Sequence, residues 1–357
     1  MKRVGTMLAC ILCFAMLLSG CGGWFDGEYV NITPYLSEGE EQLEDTGVAR
    51  SYEELCDALI ELVEAGKEEF ILYVSDITDD ACTQYMDNAI SYVKSSTAIG
   101  AYAVNKIEFD VGTNAGKRAI AVQVQYLHNR AEILRIKQAR SMGDALELIR
   151  LALENCDMRL VLRVSEYQDK DLVQFVQNYV NNNPQSCMEE PQLSVMCYPE
   201  TGKDRIIEVA FQYQSSREAL RSMKSLVTDI FKSAQYYVNT DGENLEKYSQ
   251  LYTFLMERYD YTYETSITPA YSLLRHGVGD SRAFARVYMA MCRQVGLHCQ
   301  VVSGTKNAEP WCWNVLKIED TYYHVDLLQC SRQGTFALQT EENMTGYVWD
   351  YSAFETE

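Results

Sequence analysis

In the stretch 273-LLRHGVGDSRAFARVYMAMCRQVGL-297, Ala283, Phe284, Val287, Tyr288 and Met291 recur at helical spacing, and Gly296 is placed to stop the helix they define. Three β-rich runs follow: CQVVSG (299–304), WCWNVLKI (311–318) and YYHVDLL (322–328), with turns expected at Gly304 to Pro310 and at Glu319-Asp320. One helix packed on an antiparallel sheet is the architecture this order implies. Upstream, Asn239, Thr240 or Asp241 is placed to cap a helix whose apolar stripe is Leu245, Tyr248, Tyr252 and Leu255. The segment between that helix and the quoted stretch reads as a loop.

Working back toward the N-terminus, the chain echoes itself. RSYEELCDALIELVEAGKEEFILYVSDITDDACTQYMDNAISYV is answered by RSMGDALELIRLALENCDMRLVLRVSEYQDKDLVQFVQNYV, which places Ser51 with Ser141 and Val74-Ser75 with Val164-Ser165. The later halves also agree, Tyr126 with Tyr213 and Arg130 with Arg217. Each unit reads as helix, strand, helix, strand, strand, with Leu55, Leu59, Leu62 and Val63 at helical spacing in the first, and Ala145, Leu148, Ile149 and Ala152 in the second. The chain is therefore read as α+β: a repeat at 50–137, a second at 138–235, and a third domain at 236–357.

The N-terminus carries a different message. Lys2 and Arg3 precede an apolar run from Met7 to Leu18 and then Leu18-Ser19-Gly20-Cys21. That is the form of a signal peptide (1–20), too short for a membrane span, and its last residues resemble the bacterial lipobox. The resemblance implies acylation of Cys21, palmitate included, and a chain held on the extracytoplasmic face of a bacterial membrane. Residues 21–49, rich in Gly and Glu, read as a tether. Formal net charge is −20, a field that excludes nucleic acid as a partner. Beyond the leader and Cys21, nine cysteines are scattered with no CxxC, so no metal site or cofactor is expected and most thiols read as small buried apolar residues.

The third region carries a more specific likeness. Ala270-Tyr271, Leu274, Gly277-Val278, Ala283, Ala285, Gly296-Leu297, Val301-Val302-Ser303-Gly304, Trp313-Asn314-Val315 and Tyr323-His324-Val325-Asp326 occur in the order found in the transglutaminase-like family, the papain-related thiol enzymes. The family's chemistry needs a thiolate at a helix N-terminus, a histidine on the next strand and an Asp or Asn to orient it. On this likeness the nucleophile position is Gly279, the histidine position is Trp311, and Asp326 alone remains. A carboxylate with no imidazole to orient performs no acyl transfer.

The resemblance therefore implies a pseudoenzyme, binding a peptide, protein or glycan at the cell envelope. Trp311 and Trp313, with Tyr288, Asp280, Ser281 and Arg282, are the expected lining of its cleft. Two alternatives stand beside this: an atypical hydrolase or transferase using Cys312 or Ser281, and a structural spacer.

Overall fold

A computed structural model describes residues 48–262 and 269–350. The leader, Cys21 and nearly all of the tether lie outside the described residues.

The first segment opens on α1 (Tyr52–Glu64), capped by the Ser51 side chain accepting from the Glu54 amide. Its buried Leu55, Leu59 and Val63 repeat at helical spacing and face β1 (Glu69–Tyr73), α2 (Asp79–Ser96), α3 (Ala98–Ala103), β2 (Val104–Asn114) and β3 (Lys117–Tyr126) in one apolar core. The short helix α4 (Arg130–Leu134) ends the segment behind a capping box between Asn129 and Glu132. The three strands pair antiparallel in the order β1-β3-β2.

The second segment comprises β4 (Lys137–Ser141), α5 (Met142–Glu154), β5 (Arg159–Glu166), α6 (Leu172–Asn182), β6 (Gln192–Tyr198), β7 (Arg205–Gln212) and α7 (Arg217–Tyr237). Its sheet runs β4-β5-β7-β6, with β4 parallel to β5 and the other pairs antiparallel. The β5-β7-β6 order has the same form as β1-β3-β2. Even the parallel edge has a counterpart: Ala49 bridges Val74 in parallel as Ala139 does Val164. Alternation along β7 serves two cores, since Ile206 packs into the first segment's core while Ile207, Val209 and Phe211 face the second's.

The third region contains α8 (Asn244–Met256), β8 (Asp260–Tyr261), α9 (Ala270–His276), β9 (Val278–Gly279), α10 (Ser281–Gln294), β10 (Cys299–Lys306), β11 (Glu309–Ile318), β12 (Thr321–Val325), α11 (Leu327–Gln333) and β13 (Tyr347–Trp349). Its sheet is antiparallel, in the order β12-β11-β10-β13. Ten of the fourteen residues of α10 are buried, which makes it the central helix rather than a surface one. Gly277 and Gly296, at φ of +79° and +77°, end α9 and α10 in the left-handed conformation that glycine adopts without strain.

Several sequence expectations change in detail. Asn239, Thr240 and Asp241 do not cap α8: Asn239 folds a local turn by accepting from the Asp241 amide at 3.2 Å, and Glu243 precedes the helix with no side-chain cap bond. The turn expected from Gly304 to Pro310 is only Asn307-Ala308, both at positive φ, so β10 and β11 run on into a tight hairpin. The expected boundary at 235/236 meets the end of α7, whose buried Leu220, Val227, Phe231 and Ala234 join the third region's core. All nine described cysteines are free thiols.

Candidate functional site

The site is built where the start of α10 meets the end of β11. Asp280 is the N-cap of α10, its Oδ1 accepting from the Ala283 amide at 2.9 Å, so Ser281 is the first helical residue. Ser281 Oγ accepts from the backbone N–H of Cys312 at 3.2 Å. That amide needs such a partner, because the β11–β12 ladder begins only at Asn314 opposite Val325. The Ser281 hydroxyl is thus pinned to the strand one residue from Trp311.

Gly279 lies just ahead of the helix, next to its N-cap. It lies on β9, paired in parallel with Tyr261 of β8, two residues before the helix begins. A Cβ on Gly279 would stand 3.0 Å from Cβ of Ala283 and 3.1 Å from Cδ1 of Leu273, within the contact between α9 and α10. The first helical residue is Ser281, and Gly279, the nucleophile position by likeness, stands two residues before it. The short extended pairing of β8 with β9 separates the glycine from the helix, and the Asp280 cap fixes where helical hydrogen bonding starts.

Trp311 is 6% exposed and its indole Nε1 donates to Asp326 Oδ2 at 2.9 Å. The ring lies 5.8 Å from that of Tyr261, centroid to centroid, and the Lys306 ammonium stands 5.1 Å over it. Asp326 is the N-cap of α11: its Oδ1 accepts from the amides of Leu328 and Gln329, both at 3.1 Å. Its Oδ2 accepts from Lys306 Nζ at 2.8 Å and Tyr347 Oη at 2.6 Å as well as from Trp311. Five donors therefore hold one carboxylate that is 4% exposed, and the Lys306 ammonium supplies the countercharge burial requires. Burial and then the charge of Asp326 push the Tyr347 phenol well above its ordinary pKa, so it remains a donor at every physiological pH.

The other expected cleft residues divide. Trp313 and Tyr288 are core residues, 1% and 0% exposed. The Trp313 indole donates at 2.9 Å to Nδ1 of His324, within a cluster of rings that includes Trp349 and Tyr347. Burial lowers the His324 pKa, which keeps that imidazole neutral and its Nδ1 an acceptor. Asp280 and Ser281 are buried, and Arg282 is half-exposed beside them. Cys312 is buried next to Ser303, its Sγ 3.5 Å from that hydroxyl, and strand alternation turns it away from Trp311.

Three contributors were not legible in the sequence as site residues. Lys306 and Tyr347 reach Asp326 from β10 and β13, and no spacing announces pairs formed across a sheet. Asn314 is 0% exposed, and its Nδ2 donates to the Ala285 carbonyl at 2.8 Å, tying α10 to β11. Its place beside Trp313 in the WN pair was the available signal. Among the described residues no group of His, Cys, Asp and Glu could hold a metal ion.

A family model, the transglutaminase-like superfamily core, matches residues 232–327, the span from the end of α7 to the start of α11. The C-terminal region is a transglutaminase-like domain. Among solved structures, one described as a TGase is 10% identical over 69% of this chain and 68% of its own, with a TM-score of 0.28. A candidate cysteine protease from Cytophaga hutchinsonii is 11% identical over 42% of this chain and 65% of its own, with a TM-score of 0.26. A comparison with curated proteins found no match. Within the transglutaminase-like domain, Ser281, Trp311 and Asp326 occupy the helix start, the facing strand and the following strand's end.

Proposed function

We propose that this chain is a non-catalytic transglutaminase-like protein, held on the extracytoplasmic face of a bacterial membrane through lipidated Cys21, where it binds a peptide, protein or glycan of the envelope. The observation that carries the non-catalytic part is the Trp311 indole seated on Asp326. An indole N–H donates and cannot take up a proton, so the group bonded to the orienting carboxylate is no general base. A serine hydroxyl without a base is a weak nucleophile, and Ser281 Oγ is already an acceptor for the Cys312 amide.

Asp326 is buried and Trp311 packs against Tyr261 beside it, so a ligand is expected away from that carboxylate rather than on it. Leu18-Ser19-Gly20-Cys21 supports the membrane placement. The test is a purified full chain assayed for amidase, peptidase and amine-incorporating activity with and without Ser281→Ala. No turnover above the variant is expected. Turnover abolished by Ser281→Ala would establish a serine-dependent enzyme instead.

A further inference from the structure

The far end of α10 carries a pocket unrelated to Ser281. Arg293 lies twelve positions along the helix from Ser281, roughly 18 Å at the usual helical rise. Between the end of α6, the middle of α7 and the last turns of α10 is an open cavity of about 600 Å³, within the range of small-molecule sites. Three cations line it, Lys224, Lys232 and Arg293, and no Asp or Glu among the described residues does. In a chain with 51 acidic and 31 basic side chains that is a local reversal of sign. Lys232 and Arg293 form no ion pair among the described residues, while Lys224 donates to the Glu154 carbonyl.

Five side-chain amides also line it: Asn182, Asn183, Gln185, Gln235 and Gln294. Gln185 is the informative one. Its Nε2 donates to Asn183 Oδ1 at 3.3 Å, but its Oε1 is buried with no hydrogen-bond partner. Turned toward the cavity, that acceptor would take a hydroxyl or amine donor, and an amine would be repelled by three cations. Buried Phe231 and Ala290 contribute the apolar part of the lining.

We propose that this pocket binds a hydroxylated anion, a sugar acid or sugar phosphate: the negative group meets Lys232 and Arg293, and hydroxyls meet Gln185 and the neighbouring amides. The proposal is independent of whether Ser281 is catalytic. It is tested by calorimetric titration of the full chain in detergent at low salt, with glucuronate and glucose 6-phosphate as the two anionic arms, and with glucose, acetate and inorganic phosphate as controls. One or both sugar anions should bind saturably, about tenfold or more tighter than any control, and binding should weaken with added salt.

Lys232→Glu with Arg293→Glu, both exposed in the native protein, should weaken binding by roughly tenfold or more while leaving the melting temperature unchanged; Gln185→Leu should weaken the sugar anions alone. Should the charge-reversed chain misfold, Lys232→Gln with Arg293→Gln carries the same expectation in milder form. No saturable heat with either sugar anion, equal affinity in the charge variants, or inorganic phosphate matching glucose 6-phosphate would each overturn the assignment.

Discussion

If Ser281 and Trp311 stand where a thiol and an imidazole stand in the active members of the family, Ser281→Cys combined with Trp311→His should rebuild a reactive thiolate. Three influences act on the introduced thiol. The start of α10 lowers its pKa through the helix dipole, by about 0.3–1 kcal/mol. Burial acts in the opposite direction, since Ser281 is 8% exposed. In the single variant these nearly cancel, and the pKa should stay near the usual value of about 8.5. In the double variant an imidazolium held by Asp326 at the position of the indole N–H, 2.9 Å from Oδ2, adds attraction. At about 4 Å and an effective dielectric of 20 that is about 4 kcal/mol, or roughly three pKa units, bringing the thiol to about 5.5.

The rate at one pH is a poor readout, because a thiolate of lower pKa is also a weaker nucleophile. At pH 5.5 the thiolate fraction should rise by about 500-fold, while a Brønsted slope of about 0.45 removes roughly 20-fold, leaving an alkylation rate about 20-fold faster. The cleaner quantity is the midpoint of the rate against pH, read for the peptide that contains position 281 by mass spectrometry, so that the nine native thiols do not interfere. Gly279→Cys with Trp311→His is the control. There the thiol would enter the contact of Leu273 with Ala283, and its midpoint should stay ordinary or rise. Equal midpoints for Ser281→Cys with and without Trp311→His, in chains shown to be folded, would refute the convergence of the three positions. A depressed midpoint in the Gly279 variant would assign the nucleophile position to that residue.

Other outcomes follow from the same contacts. Asp326→Ala should lower the stability of the C-terminal region by about 3–5 kcal/mol in chemical denaturation, because it strands the buried Lys306 ammonium and uncaps α11, and adding Lys306→Met should recover part of the loss. His324, whose folded pKa is lowered by burial, binds fewer protons folded than unfolded, so stability should hold above about pH 6.5 and fall as pH drops below it, by at most about 1.4 kcal/mol per unit; His324→Gln should flatten that slope in melting curves across pH. Asn314→Ala should cost about 1–3 kcal/mol by freeing the Ala285 and Gln300 carbonyls from their shared donor, seen as an earlier unfolding midpoint. Cys21→Ser should move the chain out of the membrane fraction or leave it unprocessed, and an unmodified mature terminus elsewhere would remove the lipoprotein assignment.

The two-residue difference between Gly279 and Ser281 marks what a sequence can and cannot convey at this site. The likeness runs through Gly277-Val278 and gives Gly279 as the nucleophile position, a placement that rests on matching residues and not on the helix boundary. Asp280 caps α10, so the helix itself begins two residues later, at Ser281. The longer runs in β11 and β12 offered less freedom: both faces of β11 are buried from Trp311 to Leu316, but a shift of one residue would exchange the large rings of Trp311 and Trp313 with the smaller Cys312 and Asn314 between those faces. Trp311 and Asp326 were therefore readable in register, whereas β13, three residues long, and the Lys306 and Tyr347 contacts it helps position were not. Hydrogen bonds to Asp326 come from four elements that meet only in space. That convergence gives Asp326 a present role without invoking catalysis: it caps α11, neutralises Lys306 and seats Trp311. Its presence in the sequence is therefore accounted for by structure and is by itself no argument for a reaction.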